Sequence, residues 1–533
     1  MAAFGKIRCS VTLLARFLNV RLPMFRHLLW ILAGLCGLAG ANAAVPAETV
    51  PLEQRTWLET RTAHFNISSC GPPQSVHKLA GRLEQFCKAY SQLAGMSAVE
   101  SPPIVVIAFP DHESLKPFLP LYQGRPANLA AFFQHGSEEN LIVLSLPEPG
   151  APDADMSVIF HEYSHLLFRR NDRIWPLWLK EGMAEVYATF QTSGHDIRIA
   201  SPIVEHLRVL AKKPLMPLAE LFGVNNDSPQ YNERQRQGMF YAESWLLTHF
   251  LMSGDSARYR SGFGQFTALL RLGQLPVPAF TNAFHASLSV AETELRRYLA
   301  EGKFSPIDLS LTADISAAVA ISTRALTPVE INFRLGNELL RINRGDDAET
   351  YFNRAKKIAP ASPLPDEGLG LLASQREQPA AAVRHLQAAI DHGSPSFLTY
   401  YIYAREKYQS TADAKDRYAR LQKTPATELR RALEQSIQLM PDFGPAHQLL
   451  GFFELVQGDN LVKAEQHLRR AIQLEPENPA CLFPLAQLQL RNRNPAAARQ
   501  TLEPLLRPNV EAKLRTKAAE LMQEINRTAD SPF

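Results

Sequence analysis

The pair Leu335-Gly336 recurs 34 residues later as Leu369-Gly370, and the trio Ala348, Phe352 and Ala355 recurs with it as Ala382, Leu386 and Ala389. A period of this length fits two helices joined by a turn, a unit that cannot bury its apolar face alone and so must stack on a copy of itself. Pro360 punctuates the first unit. A third is stretched, with Phe397 to Tyr408 as its first helix, Glu428 to Leu439 as its second, and a polar insertion around Thr411 to Thr427 between them. A fourth carries Leu450-Gly451, Ala464, Leu468, Ala471 and Pro476, and a fifth Leu485-Ala486, Ala498 and Leu502. Val510 to Ile525 reads as a closing helix. Residues 329–527 are therefore expected to form one all-α curved solenoid, whose concave groove suits a peptide or helix of a protein partner; a spacer without a ligand is the plainer alternative.

The first half of the chain carries a different signal. His161 and His165 stand four apart in Phe160-His161-Glu162-Tyr163-Ser164-His165, so on a helix their imidazoles share one face, about 6 Å apart at Cβ. That spacing suits one tetrahedral Zn²⁺, and Glu162 between them is placed to activate water at the metal. A third ligand is expected from the run Trp178-Leu179-Lys180-Glu181-Gly182-Met183-Ala184-Glu185, where Pro176 can occupy the first turn. Glu181 is the favoured ligand. Glu185, one turn on, is either the acceptor for the free ring nitrogen of a ligating histidine or a solvated side chain. Gly182 is costly in a helix interior and predicts a close approach of helix backbones, the kind of approach that two helices sharing a metal require.

At these residues the chain resembles the gluzincin metallopeptidases, and more narrowly the bacterial peptidase-MA-like proteins of unknown function in which such a domain precedes tetratricopeptide repeats. The likeness spans about residues 55 to 300 and includes Trp57-Leu58-Glu59-Thr60, His64-Phe65-Asn66-Ile67 and Phe240-Tyr241-Ala242-Glu243-Ser244-Trp245. It implies His161, His165 and Glu181 as ligands of a single Zn²⁺, Glu162 as the base, and a downstream tyrosine as oxyanion donor; Tyr241 is the candidate, with Tyr231 nearby. Gly136-Ser137-Glu138-Glu139-Asn140 is similar to the Gly-x-Met-Glu-Asn strand of gluzincin aminopeptidases except for Glu138 in place of Met. A polar hairpin tip between Ala130 to Phe133 and Leu141 to Leu144 explains the same residues without chemistry.

The organisation expected is an α+β zincin-like domain at 50–305, a linker at 306–328 and the solenoid. The zincin-like part reads as a small sheet with an amphipathic helix through Leu79, Leu83, Phe86 and Tyr90, then a nearly all-helical half from Asp153 with helices around 234–253, 257–272 and 288–300. The basic loop Arg169 to Arg173 reads as solvated, with contact to a substrate's acidic group as the alternative. Residues 1–43 read as a lead and export signal: Arg26 and His27, an apolar run from Leu28 to Leu38, and Ala41-Asn42-Ala43 for cleavage, with Met24 an alternative start. Eleven apolar residues fall short of the roughly 20 a membrane span needs. Leu35 before Cys36 is too large for a lipoprotein signal. Cys70, Cys87 and Cys481 are too few and too far apart for a disulfide framework, and Asn66-Ile67-Ser68 falls within a strand. With 46% hydrophobic and 20% charged residues and a net charge of +3, the chain is globular and offers no field for nucleic acid or anionic membrane. Two functions fit: an exported, periplasmic or secreted zinc metallopeptidase whose repeats recruit substrate or partner, or a non-catalytic scaffold carrying a vestigial zinc domain.

Overall fold

The computed structural model describes residues 50–529 apart from 95–103, 135–138, 147–155, 169–174, 311–318, 412–417 and a few isolated positions. The export signal, Gly136-Ser137-Glu138, the loop Arg169 to Arg173 and part of the polar insertion (412–417 and 419) lie outside the described residues. Two compact units divide the chain at residues 326 and 327.

The strands of the first unit are β1 (Leu58–Arg61), β2 (Phe65–Ser69), β3 (Ile104–Phe109), β4 (Leu121–Tyr122), β5 (Arg125–Pro126), β6 (Ala131–Gln134), β7 (Leu141–Ser145), β8 (Gln191–Ser193), β9 (Asp196–Ile199), β10 (Ile307–Ser310) and β11 (Ser322–Ala325). Six of them form a mixed sheet in the order β11-β1-β2-β3-β7-β6. Its centre is parallel, with Phe65 opposite Ile104 and Val105 opposite Leu141, and its margins are antiparallel. A parallel crossover needs a covering helix. The helix α1 (Pro73–Ala94) supplies it, burying Leu79, Leu83, Phe86 and Tyr90 among Phe65, Ile67, Val106, Ile142 and Leu144.

Within the span expected to be a linker, 306–328, Ile307–Ser310 and Ser322–Ala325 are strands. β11 pairs with β1 and β10 with β9, so the unit is closed by strands from its own C-terminal end. Arg324 and Arg61 both reach the buried Glu59 carboxylate at 2.8 Å, which fixes β11 to β1 electrostatically as well as through the ladder. Nor is the second half purely helical. β8, β9 and β10 make a small antiparallel sheet in which Ile197 and Ile199 are buried while Asp196 and Arg198 face outward. Strands of three and four residues give too little alternation to stand out in a sequence.

The other helices of this unit are α2 (His112–Leu115), α3 (Ser157–Phe168), α4 (Leu177–Ala188), α5 (Val204–Leu210), α6 (Leu218–Gly223), α7 (Pro229–Asn232), α8 (Arg234–Ser253), α9 (Ala257–Arg271), α10 (Pro276–Phe284) and α11 (Leu288–Glu301). Phe160 of α3 stacks on Phe86 with ring centres 4.6 Å apart and meets Phe190 at 5.4 Å, while Tyr163 meets Phe65 at 5.5 Å. These rings lock α3 against α1 and the sheet, and so set which way its histidines point.

The second unit is a run of helix pairs: α12 (Pro328–Arg341) with α13 (Gly345–Ile358), α14 (Pro363–Gln375) with α15 (Pro379–Asp391), α16 (Phe397–Gln409) with α17 (Lys423–Leu439), α18 (Gly444–Gln457) with α19 (Leu461–Leu474), and α20 (Leu482–Arg491) with α21 (Pro495–Leu502). The closing helix α22 is Ala512–Ala529. A reciprocal cap between Thr327 and Glu330, with Pro328 in the first turn, starts the stack. Ala348, Phe352, Ala355, Ala382, Leu386, Ala389, Ala464, Leu468 and Ala471 are all buried. Gly336 is small because a side chain there would strike the Phe352 ring. α17 begins five residues earlier than the repeat pattern placed it, which shortens the insertion.

Among the described residues, four of the turns inside helix pairs use a left-handed residue: Asn343, Glu377, Gly458 and Arg493. For a side-chain-bearing residue this conformation costs about 1 kcal/mol. Replacing Arg493, at φ 59°, by glycine is expected to stabilise the repeat unit by about 1 kcal/mol, read as a higher denaturant midpoint with unchanged slope.

Candidate metal centre

Three donor atoms converge between α3 and α4. His161 Nε2 and His165 Nε2 are 3.3 Å apart, and Glu181 Oε2 lies 3.5 Å from the first and 3.3 Å from the second. Tetrahedral zinc with bonds of about 2.0–2.1 Å requires its donors about 3.3–3.4 Å from one another. The triangle therefore has the size the ion demands. Glu181 Oε2 is buried with no hydrogen bond, although burying such an atom unpaired is costly. Among the described residues this is the one trio of potential metal ligands so gathered. His161 and Glu181 are almost fully buried, whereas a quarter of the His165 side chain is open to solvent.

Electrostatics agree with the geometry. Burial alone would raise the Glu181 carboxyl, but the two imidazoles hold it far below the usual carboxylate range. Burial would lower His161, yet Glu185, Glu181 and Glu162 together bring it up to about 9. Three carboxylates around two imidazoles make an excess of negative charge, a setting that suits a divalent cation. Glu162 is itself buried, and that burial raises its carboxyl despite the nearby histidines.

The surrounding residues orient the donors. Glu185 is not a solvated side chain: its Oε1 faces His161 Nδ1 at 3.5 Å, and its Oε2 lies 3.0 Å from His206 Nε2. A proton on His161 Nδ1 leaves the Nε2 lone pair free to aim at the other two donors. The Tyr231 hydroxyl donates to Glu181 Oε1 at 3.2 Å, so this tyrosine is committed to the ligand's outer oxygen. Tyr241 stands with its ring 6.2 Å from that of His161 and its hydroxyl buried without a partner. Burial keeps that phenol protonated well above its usual value, and it remains a donor. Sequence patterning missed His206, because a lone histidine on the seven-residue helix α5 carries no spacing signal.

Two expectations about α4 need correction. Pro176 caps the helix from outside rather than occupying its first turn. The close approach at Gly182 is real, but it is not between the two metal-bearing helices. A side chain there would strike the Ser244 carbonyl and the Thr248 hydroxyl of α8. Helix α8 thus backs α4 and presses Glu181 toward the histidines. Its Glu243 accepts the Met216 N–H at 2.6 Å, and its His249 is buried between the Ala200 carbonyl, 3.0 Å from Nε2, and the Tyr298 hydroxyl, 2.8 Å from Nδ1.

The Gly182→Ala variant is expected to lose about 2 kcal/mol or more, since the gain of about 1 kcal/mol from helix propensity is overtaken by overpacking. Gly264→Ala, where a side chain meets open space, should gain about 1 kcal/mol in the same denaturation assay. His249 gives a pH dependence. Burial lowers it from 6.5 to about 4, so between those values the unfolded chain binds the extra proton. Stability is full above pH 6.5 and falls as the pH drops toward 4, by about 2–3 kcal/mol. Denaturation across that window should show a shallower slope for His249→Gln.

A family model described as a tetratricopeptide repeat matches residues 455–521. Among solved structures the chain is similar to a thermophilic tetratricopeptide protein of Thermus thermophilus, at 22% identity over 37% of this chain and 99% of that one, with a TM-score of 0.27. It is also similar to MamA of Desulfovibrio magneticus, at 15% identity over 38% and 97% with a TM-score of 0.27, and to PilF of Pseudomonas aeruginosa, at 17% identity over 38% and 87% with a TM-score of 0.29. No curated protein matches the chain. The family match and the helix-pair stack agree: the C-terminal unit is built of tetratricopeptide repeats.

Proposed function

We propose that this chain is an exported zinc metallopeptidase of the gluzincin type, with a zincin-like catalytic unit and a repeat unit that recruits substrate or a partner protein. The observation that carries the reading is the donor triangle of His161, His165 and Glu181, sized for zinc and flanked by the buried carboxyl of Glu162. His161, His165 and Glu181 would hold a Zn²⁺ ion, which would supply Lewis acidity to water and to a carbonyl oxygen. Glu162 takes the proton from water and returns it to the leaving amine. Tyr241, still protonated and uncommitted, donates to the developing oxyanion. The edge strand β6 lies against α3 and offers main-chain groups on which an extended peptide can register.

The partners that fit are a peptide or unfolded protein at the metal centre and a protein in the repeat groove; nothing in the charge balance favours nucleic acid. Among the described residues no helix is long and apolar enough to cross a membrane. The export signal supports a periplasmic or secreted location in a bacterium.

A second reading has the repeat match in its favour: a protein-binding scaffold whose zinc domain no longer turns over. The two are separated by Glu162→Gln. The peptidase reading expects unchanged zinc content and a fall of roughly a hundred-fold or more in hydrolysis of a denatured periplasmic protein pool. Equal behaviour of variant and wild type, together with loss of a cellular phenotype on deleting residues 329–527, supports the scaffold instead.

A further inference from the structure

His206 belongs to no motif in the chain, yet it completes a line of side chains ending at a metal ligand. Its Nε2 lies 3.0 Å from Glu185 Oε2, an ion-pair contact rather than an aligned hydrogen bond, and the other oxygen of that carboxylate faces His161 Nδ1 at 3.5 Å. Each oxygen of Glu185 is thus assigned to one imidazole. The three side chains come from three separate helices, α3, α4 and α5, and all are largely buried; even His206 keeps only 14% of its side chain exposed. The other face of the His206 ring is set by Trp245 of α8, with ring centres 6.0 Å apart. Helix α5 is itself packed on α8 and anchored by the buried Leu210.

We propose that His206 is a positioning residue of the metal centre: by holding one oxygen of Glu185, it fixes the plane of that carboxylate so that the other oxygen accepts from His161 Nδ1–H. His161 is thereby held in the tautomer and rotation that aim Nε2 at His165 and Glu181. Without the imidazole at 206, that oxygen of the buried carboxylate loses its ion-pair contact, the carboxylate is free to turn, and the contact with His161 goes with it. The reach of the site then extends to α5, well beyond the two helices that carry the ligands. The inference rests on the zinc reading of the donor triangle and adds a role for a residue outside it.

The test uses the full chain and Zn²⁺ itself, with affinity measured by competition against a chelator and geometry followed by the visible absorption of the Co²⁺ form. His206→Phe keeps a ring against Trp245 but removes the donor; it should weaken Zn²⁺ binding about 10- to 100-fold and alter the Co²⁺ bands. His206→Gln, which restores an N–H, should recover most of the loss. The double variant His206→Phe with Glu185→Gln should bind no more weakly than Glu185→Gln alone, because both act through one carboxylate. Wild-type affinity in a His206→Phe protein with an unchanged melting temperature, or strictly additive losses, overturns the role of His206 while leaving the zinc centre standing. A wild-type chain that binds no Zn²⁺ overturns both.

Discussion

Two imidazoles and a carboxylate oxygen held 3.3–3.5 Å apart inside a protein are an arrangement that could hold a cation. Each of the three presents a lone pair to the same point, and the carboxylate oxygen has no hydrogen bond to compensate its burial. Desolvating such groups is costly unless a charge of opposite sign joins them. A proton offsets part of that cost, and Glu185, then Glu181 and Glu162, draw His161 up to about 9 against its burial. A divalent ion, the occupant proposed above, would offset more of it. Keeping these donors together requires α3 and α4 to be held in a fixed mutual orientation.

That orientation is produced by apolar packing rather than by the polar site. Phe160 and Tyr163 face the aromatic cluster of Phe86, Phe65 and Phe190, which turns His161 and His165 toward α4. From the other side, α8 meets α4 without a side chain between them at Gly182. Tyr231 and Glu185 then hold the outer atoms of the ligands. The polar groups select among rotamers that the core has already restricted, and the repeat unit obtains its own order separately through alanine, glycine and large apolar residues in alternation.

Much of this is legible in the sequence because helical periodicity is local. The spacing of His161 and His165, the position of Glu181 on a second helix and the recurring Leu-Gly pairs each need only one or two helices to be read. Contacts between distant segments are not written that way. β11 reads as a linker because Ser322–Ala325 has no apolar alternation; it is a strand only because β1 offers it an open edge and Glu59 a counter-charge. His206 is silent for the same reason, since its meaning depends on where α5 falls against α4 and α8. Gly182 shows an intermediate case: a close approach is legible, but its partner, α8, is not.

His161, His165 and Glu181 are proposed to bind one zinc ion together. X-ray absorption at the zinc edge of the protein loaded with one equivalent of Zn²⁺ examines this most directly. Two imidazoles and low-atomic-number donors are expected at about 2.0–2.1 Å, with the imidazole signal reduced in His165→Ala. Zinc lost on gel filtration of the wild type, or a sulfur shell at about 2.3 Å, would contradict it.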